Sequence, residues 1–171
     1  LQPRWPEPRA SLGEALLRKG RVDEAVWNCR EAVRLDPASA GLRVRLAQVL
    51  VGAGWSDDAI VELRKALRRD DGRNAARIHG LLGLAYGRRG DAARAAVHLQ
   101  QAIALDPDSA APRASLGDAL RSQGRDAEAI AAYRAALRAE PQHRDAANNL
   151  AWLLAAAADP ALRAPDEALR W

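Results

Sequence analysis

Phenylalanine and methionine are absent from this chain, cysteine occurs once, and lysine only at Lys19 and Lys65. A lone Cys29 excludes an internal disulfide and any fold that depends on one. With no Phe or Met and 40 alanines among 171 residues, large apolar side chains are scarce. A core built from such residues must bring backbones close together. Long apolar runs are missing too: the longest, "LAWLLAAAA" at 150–158, has nine residues. A bilayer needs roughly 20, so no helical membrane insertion is expected in this segment. The scarcity of lysine is set against 24 arginines and a net charge of +4. Arginine suits nucleic acid as well as carboxylates. The acids are interspersed, however, and no block of like charge exceeds two residues, a pattern that argues against a nucleic-acid partner.

What is present is repetition. "LDPASA" at 35–40 returns as "LDPDSA" at 105–110. Steps of 34 residues join Pro3 to Pro37 and Pro107 to Pro141, with Asp71 of "RRDDGRN" as the middle punctuation. Gly20, Gly54, Gly90 and Gly124 follow one another at 34, 36 and 34 residues. Ala25, Ala59, Ala95 and Ala129 keep the same steps, as do Ala32, Ala66, Ala102 and Ala136, and Leu12, Leu46, Leu82 and Leu116. The two extra residues fall between Leu67 and Leu82, in a loop around 71–75.

Each period reads as helix, turn, helix. "ASLGEALLRKG" and "ASLGDALRSQG" place apolar residues at helical spacing and stop at glycine, as a helix C-terminus does. "DEAVWNCREAVRLDP" and "AEAIAAYRAALRAEP" are second amphipathic stretches ending at proline, which cannot continue a helix. Alanine favours helix, and β-branched runs are rare, so the fold class is all-α. Gly13, Gly83 and Gly117 recur where two helices must touch. One such hairpin buries too little apolar surface to fold alone, so the units stack into a solenoid.

"LGDAL…G…AEAIAAYRAAL…EP" at 116–141 and "LGLAY…GD…A…L…AIALDP" at 82–107 resemble tetratricopeptide repeats. The resemblance covers nearly the whole chain, with repeats at about 6–39, 40–75, 76–109 and 110–143. A partial or capping repeat follows at 144–171: "NNLAWLL" starts it, "AAAADPALRAP" departs from the pattern, and "DEALRW" resumes it. Residues 1–5 read as the remnant of a preceding repeat. The resemblance implies one right-handed α-solenoid over 1–171. The aromatic usual at the fourth position of each repeat is replaced by Arg9, Arg43, His79 and Arg113.

Catalytic patterns are not visible. His79, His98 and His143 have no Cys or carboxylate at recurring ligand spacing; His79 and His98 lie on different helices of one repeat, where a surface or interhelix role is expected rather than a metal site. Cys29 fills the slot of Leu63, Leu99 and Tyr133, so it reads as core. The glycines follow the repeat, not a nucleotide-binding pattern. No enzyme activity, cofactor or metal is expected.

In tetratricopeptide arrays the first helices line a concave face on which partners lie. Carrying that geometry over gives a peptide-binding groove made of Val44, Gln48, Arg77, Gly80, Leu84, Arg88, Asp118, Arg121 and Trp152. Ala10, Gly80, Gly87 and Ala114 would form shallow sockets, and Val44, Val51 and Leu84 an apolar floor. Arg77, Arg88 and Arg121 would hold carboxylates or backbone above it. Two sharper family codes fit poorly. The two-carboxylate clamp would fall on Ala10, Glu14, Arg45, Arg77 and Leu81, where Glu14 repels a carboxylate. The asparagine ladder would fall on Ser11, Arg45, Leu81, Ser115 and Asn149. Trp5, Trp27, Trp55 and Trp171 read as packing caps, whereas Trp152 points into the groove unless the irregular tail covers it. The expected function is a protein-interaction scaffold that takes a peptide or protein segment in the groove. The alternative is the non-catalytic arm of a larger enzyme such as a glycosyl- or sulfotransferase. Association between copies through Leu1 and Trp171 is a further expectation.

Overall fold

The computed structural model describes residues 5–157 and 159–171, and among these it contains helices and turns only. Nine helices follow one another: α1 (Pro6–Arg18), α2 (Val22–Leu35), α3 (Ala40–Gly52), α4 (Ser56–Leu67), α5 (Ala75–Arg88), α6 (Ala92–Leu105), α7 (Ala110–Ser122), α8 (Asp126–Ala139) and α9 (Arg144–Ala156). A 3₁₀ turn (Pro160–Leu162) and the short α10 (Pro165–Ala168) complete the described chain. The reading of residues 1–5 as a remnant repeat falls mostly outside the described residues.

The glycine series makes the hairpins. Gly20, Gly54, Gly90 and Gly124 have φ of 74°, 84°, 85° and 73°, left-handed values that cost other residues about 1–2 kcal/mol. Each turn closes the same way. Gly20 N–H donates to Leu17 O at 2.9 Å and Arg21 N–H to Leu16 O at 3.0 Å, and the pattern repeats at the other three turns. These paired bonds satisfy carbonyls that a helix end would otherwise leave open.

Within a hairpin the small residues set the helix separation. A Cβ on Gly117 would lie 2.6 Å from Tyr133 Cδ1, and one on Gly83 would lie 2.7 Å from Leu99 Cδ2. A Cβ on Gly13 would meet Cys29 Sγ and the carbonyl of Ala25. The sequence lacks large side chains, and its core is accordingly closed by backbone approach.

Between hairpins, the arginines at the fourth position act as staples. Arg43 Nη2 donates to Pro37 O at 2.9 Å, and Arg113 Nη1 donates to Ser109 O at 2.6 Å and Nη2 to Pro107 O. Each therefore ties its helix to the loop that delivers it. The α4–α5 loop carries the two extra residues, and its Asp70 carboxylate accepts from Asn74 N at 3.0 Å and from Gly72 N at 3.1 Å. There the staple is replaced by His79, which turns to α6 instead.

The odd-numbered helices touch in succession, and each even-numbered helix packs on its hairpin partner and on the next odd helix. The odd row is therefore the inside of the curve. Buried side chains form one large cluster over α1–α6 that takes in Ala119, a second over α7–α9, and a small third of Ala10, Ala32 and Leu42. Leu116 packs against the first two. The tail folds onto the second cluster: Ala164 N–H donates to Leu154 O at 2.9 Å, and Arg134 Nε to Glu167 Oε1 at 2.9 Å.

Candidate functional site

The concave row has four interfaces between successive first helices, and they differ in how they are filled. At α1–α3, Arg45 donates to Glu14 at 2.7 Å, Glu7 at 2.7 Å and Ser11 at 2.8 Å. Leu17 fills the space beside Gly52 there, since a Cβ on Gly52 would lie 2.7 Å from its Cδ2. At α3–α5, Arg77 donates to Gln48 Oε1, and Arg88 donates to the carbonyl of Val51. At α7–α9, Asn149 Nδ2 donates to Asp118 Oδ1 at 2.8 Å, and the Arg121 guanidinium sits 5.5 Å from the Trp152 ring centroid.

The α5–α7 interface is different. Among the described residues no side-chain hydrogen bond or ion pair crosses it. Two cavities open along it instead. One, of about 440 Å³, lies against Arg77, Gly80, Leu81 and Leu84 of α5 and Ala111, Pro112 and Ser115 of α7. It reaches between them to Leu99 and Ala102 of α6. The second, of about 340 Å³, is bounded by Leu84, Gly87, Arg88, Ser115 and Asp118. Leu84 and Ser115 belong to both, so the two cavities form one trough. Small residues cause the gap: a Cβ added to Gly80 would meet no atom within 4 Å.

Of the residues expected from sequence, Arg77, Gly80, Leu84, Arg88 and Asp118 come together along this trough. Gln48 stands at its edge, holding Arg77. Arg121 and Trp152 form a separate aromatic shelf on α7–α9, and Trp152 remains 56% exposed because the tail packs elsewhere. Val44 is a correction. It is 1% exposed and lies in the core, as does Val51 at 4%, because α1 leans onto α3 at this end. Ala10 and Ala114 are buried as well and form no sockets, leaving Leu84, at 39% exposure, as the apolar side chain of that floor. The deep wall of Leu99 and Ala102 belongs to a second helix, which a reading confined to first helices does not reach.

The electrostatics separate the two ends of the face. Arg45 is matched by two carboxylates, so it is not available to a ligand's carboxylate. Asp118 accepts from Tyr133 Oη at 2.7 Å as well as from Asn149. Burial, reinforced by the Asp118 carboxylate, pushes the Tyr133 hydroxyl well above its ordinary range, so it remains a donor. Burial pushes the Cys29 thiol up to about 11, and with no exposed surface it is an inert core residue. On the outer face Trp27 and Trp55 are 51% and 38% exposed beneath Arg9 and Arg30, at 5.3 and 5.9 Å. They cover less than the caps expected from sequence. No group of three or more metal-ligating side chains occurs among the described residues.

The sequence profile of the tetratricopeptide repeat matches residues 16–85, and a second profile of the same description matches 81–143 and 114–171. No curated protein matches the chain. Among solved structures, the chain is similar to TTC0263, a thermophilic protein of these repeats from Thermus thermophilus. The two share 29% identity at TM-score 0.77, over 91% of this chain and 84% of that one. It is also similar to MamA, at 25% identity and TM-score 0.74 over 96% and 86% of the two chains. A third similar structure is pilF of Pseudomonas aeruginosa, at 26% identity and TM-score 0.76 over 87% and 67%.

Proposed function

Because the chain belongs to the tetratricopeptide repeat family, we propose that its work is protein–protein interaction, with a segment of the partner seated in the trough between α5 and α7. Repeats of this family are generally non-catalytic scaffolds. The division into repeats at 6–39, 40–75, 76–109 and 110–143, with a partial fifth, is part of this reading and is supported by the helix pairs. The observation that carries it is the contrast along one face. Three interfaces are spanned by side-chain bonds, and the fourth is an open trough floored by the exposed Leu84. A cavity of about 440 Å³ is within the range typical of ligand pockets, roughly 300–1,000 Å³. A preformed trough also lowers the ordering cost of binding.

The test is selection of a random peptide display library on the purified protein beside a Leu84→Arg variant. Leu84 is partly exposed, so the charge is tolerated and the helix content by circular dichroism stays that of the parent. Peptides sharing apolar anchors enrich on the parent and disappear on the variant. Enrichment of the same peptides on both proteins removes the trough as the site.

A further inference from the structure

The charge around the trough specifies more than an apolar anchor. In the larger cavity Arg73 is paired with Asp71 at 3.1 Å and Asp106 adds one carboxylate to the lining; the two remaining guanidiniums of the trough are Arg77 in the larger cavity and Arg88 in the smaller. Both are fixed by bonds to neutral acceptors of α3, the Gln48 amide oxygen and the Val51 carbonyl. Among the described residues neither has a carboxylate partner. Arg45, on the same concave row, shows the opposite arrangement, with Glu7 and Glu14 both in contact. A guanidinium carries five N–H donors, so one bond to a neutral oxygen leaves it able to grip a carboxylate. Across the trough, Asp118 is engaged by Tyr133 and Asn149 rather than by either arginine.

The two arginines are eleven residues apart on one helix, about 16 Å by helical rise, with Leu84 between them. The lining of the two cavities is mostly apolar or small and contains no aromatic ring. A nucleic-acid strand would find cations but no stacking platform. A polypeptide with an apolar side chain between acidic ones matches both features. We propose that the trough receives an acidic segment of a partner protein, its bulky apolar anchor entering beside Leu84 and its flanking carboxylates meeting Arg77 and Arg88. This rests on the trough being the binding site, and the experiment separates the two.

Short fluorescein-labelled peptides of one design are titrated by anisotropy: a central Trp flanked on both sides by Glu, the same with Gln, the same with Lys, and the Glu peptide with Ser in place of Trp. The Glu–Trp peptide binds tightest. Replacing Glu by Gln weakens it about tenfold for each carboxylate engaged, the effect of losing one charge-assisted hydrogen bond. The Ser peptide binds least among the acidic ones. An Arg77→Gln/Arg88→Gln variant abolishes the preference for Glu over Gln, and Arg77→Glu/Arg88→Glu prefers the Lys peptide. Equal binding of the Glu and Gln peptides, both lost on Leu84→Arg, overturns the acidic specificity and keeps the trough. A Glu preference that persists in the double Gln variant also overturns it, because the charge is then read elsewhere. Binding unaffected by Leu84→Arg overturns the trough itself, and so does no binding by any peptide of the set.

Discussion

Two glycines three positions apart on α5 have opposite roles. Gly83 lies against Leu99, where a Cβ would overlap the side chain, and Gly80 looks into open space. Glycine in a helix interior costs roughly 0.5–1 kcal/mol relative to alanine. Gly80→Ala should therefore raise stability by about that amount, read as a higher urea midpoint with unchanged slope. Gly83→Ala should lower it by about 1–3 kcal/mol, because α5 and α6 must separate to admit the methyl group. If the trough is used, Gly80→Ala should also weaken its ligand while stabilising the fold. That opposition would explain a helix-weakening residue at a site where packing does not require one. The arginine staples work at the same scale. Arg43 and Arg113 stand six residues after Pro37 and Pro107, and each reaches back to that proline's carbonyl. The aromatic expected at this position packs, whereas arginine binds the loop.

Where the staple is missing, α5 and α6 are joined by a pair of imidazoles. His79 Nδ1 and His98 Nδ1 are 3.0 Å apart, with ring centroids at 5.2 Å and ring planes tilted by 35°, a distance at which one ring donates its N–H to the other. Tyr86 of α5 stacks on His98 at 5.5 Å, and its hydroxyl accepts from Arg64 of α4 at 2.7 Å, while Arg94 of α6 lies over the same tyrosine. Burial holds both histidines below the ordinary value; for His98 the charge of His79 and that of Arg64 add to it, against a hydrogen bond with Gln101. A histidine whose pKa is depressed on folding contributes stability that is complete above the unfolded value, about 6.5, and is lost as pH falls below it. Melting temperature should fall between pH 7 and pH 5, and less steeply in His98→Gln. The hairpins themselves were legible in the sequence, because Gly20, Gly54, Gly90 and Gly124 answer a local demand for left-handed backbone. Gly13, Gly83 and Gly117 were legible for a different reason, as small residues recurring where two helices approach closely. The histidine pair was visible only as two unmatched residues: its contact depends on α5 and α6 being in register at that height. Val44 was misread because the transfer of groove positions treats every interface alike. What opens or closes each one is the neighbour: Leu17 and Glu14 close α1–α3, and Ala111 and Ser115 leave α5–α7 open.

Over the whole molecule, the trough coincides with a division in the core. The two larger buried clusters are separated where small residues face each other across α5 and α7, and Leu116 joins them. In a stacked array, stability is close to a sum of unit and interface terms, so a thin interface is where cooperativity fails first. The α7–α9 end also carries the smaller of these two clusters, capped by the folded-back tail. Leu116→Ala removes the side chain common to both clusters and should cost about 1–3 kcal/mol, since it is partly rather than fully buried. The larger effect should be on coupling. In native-state hydrogen exchange, amides of α7 and α8 should open at lower free energy than those of α3 to α6 in the parent, and the gap should widen in the variant. A ligand that spans the trough binds both sides and should narrow it again, in proportion to its concentration over its dissociation constant. Uniform loss of protection along all the helices in Leu116→Ala would instead mean that the two clusters unfold as one body, with the trough a surface feature rather than a boundary.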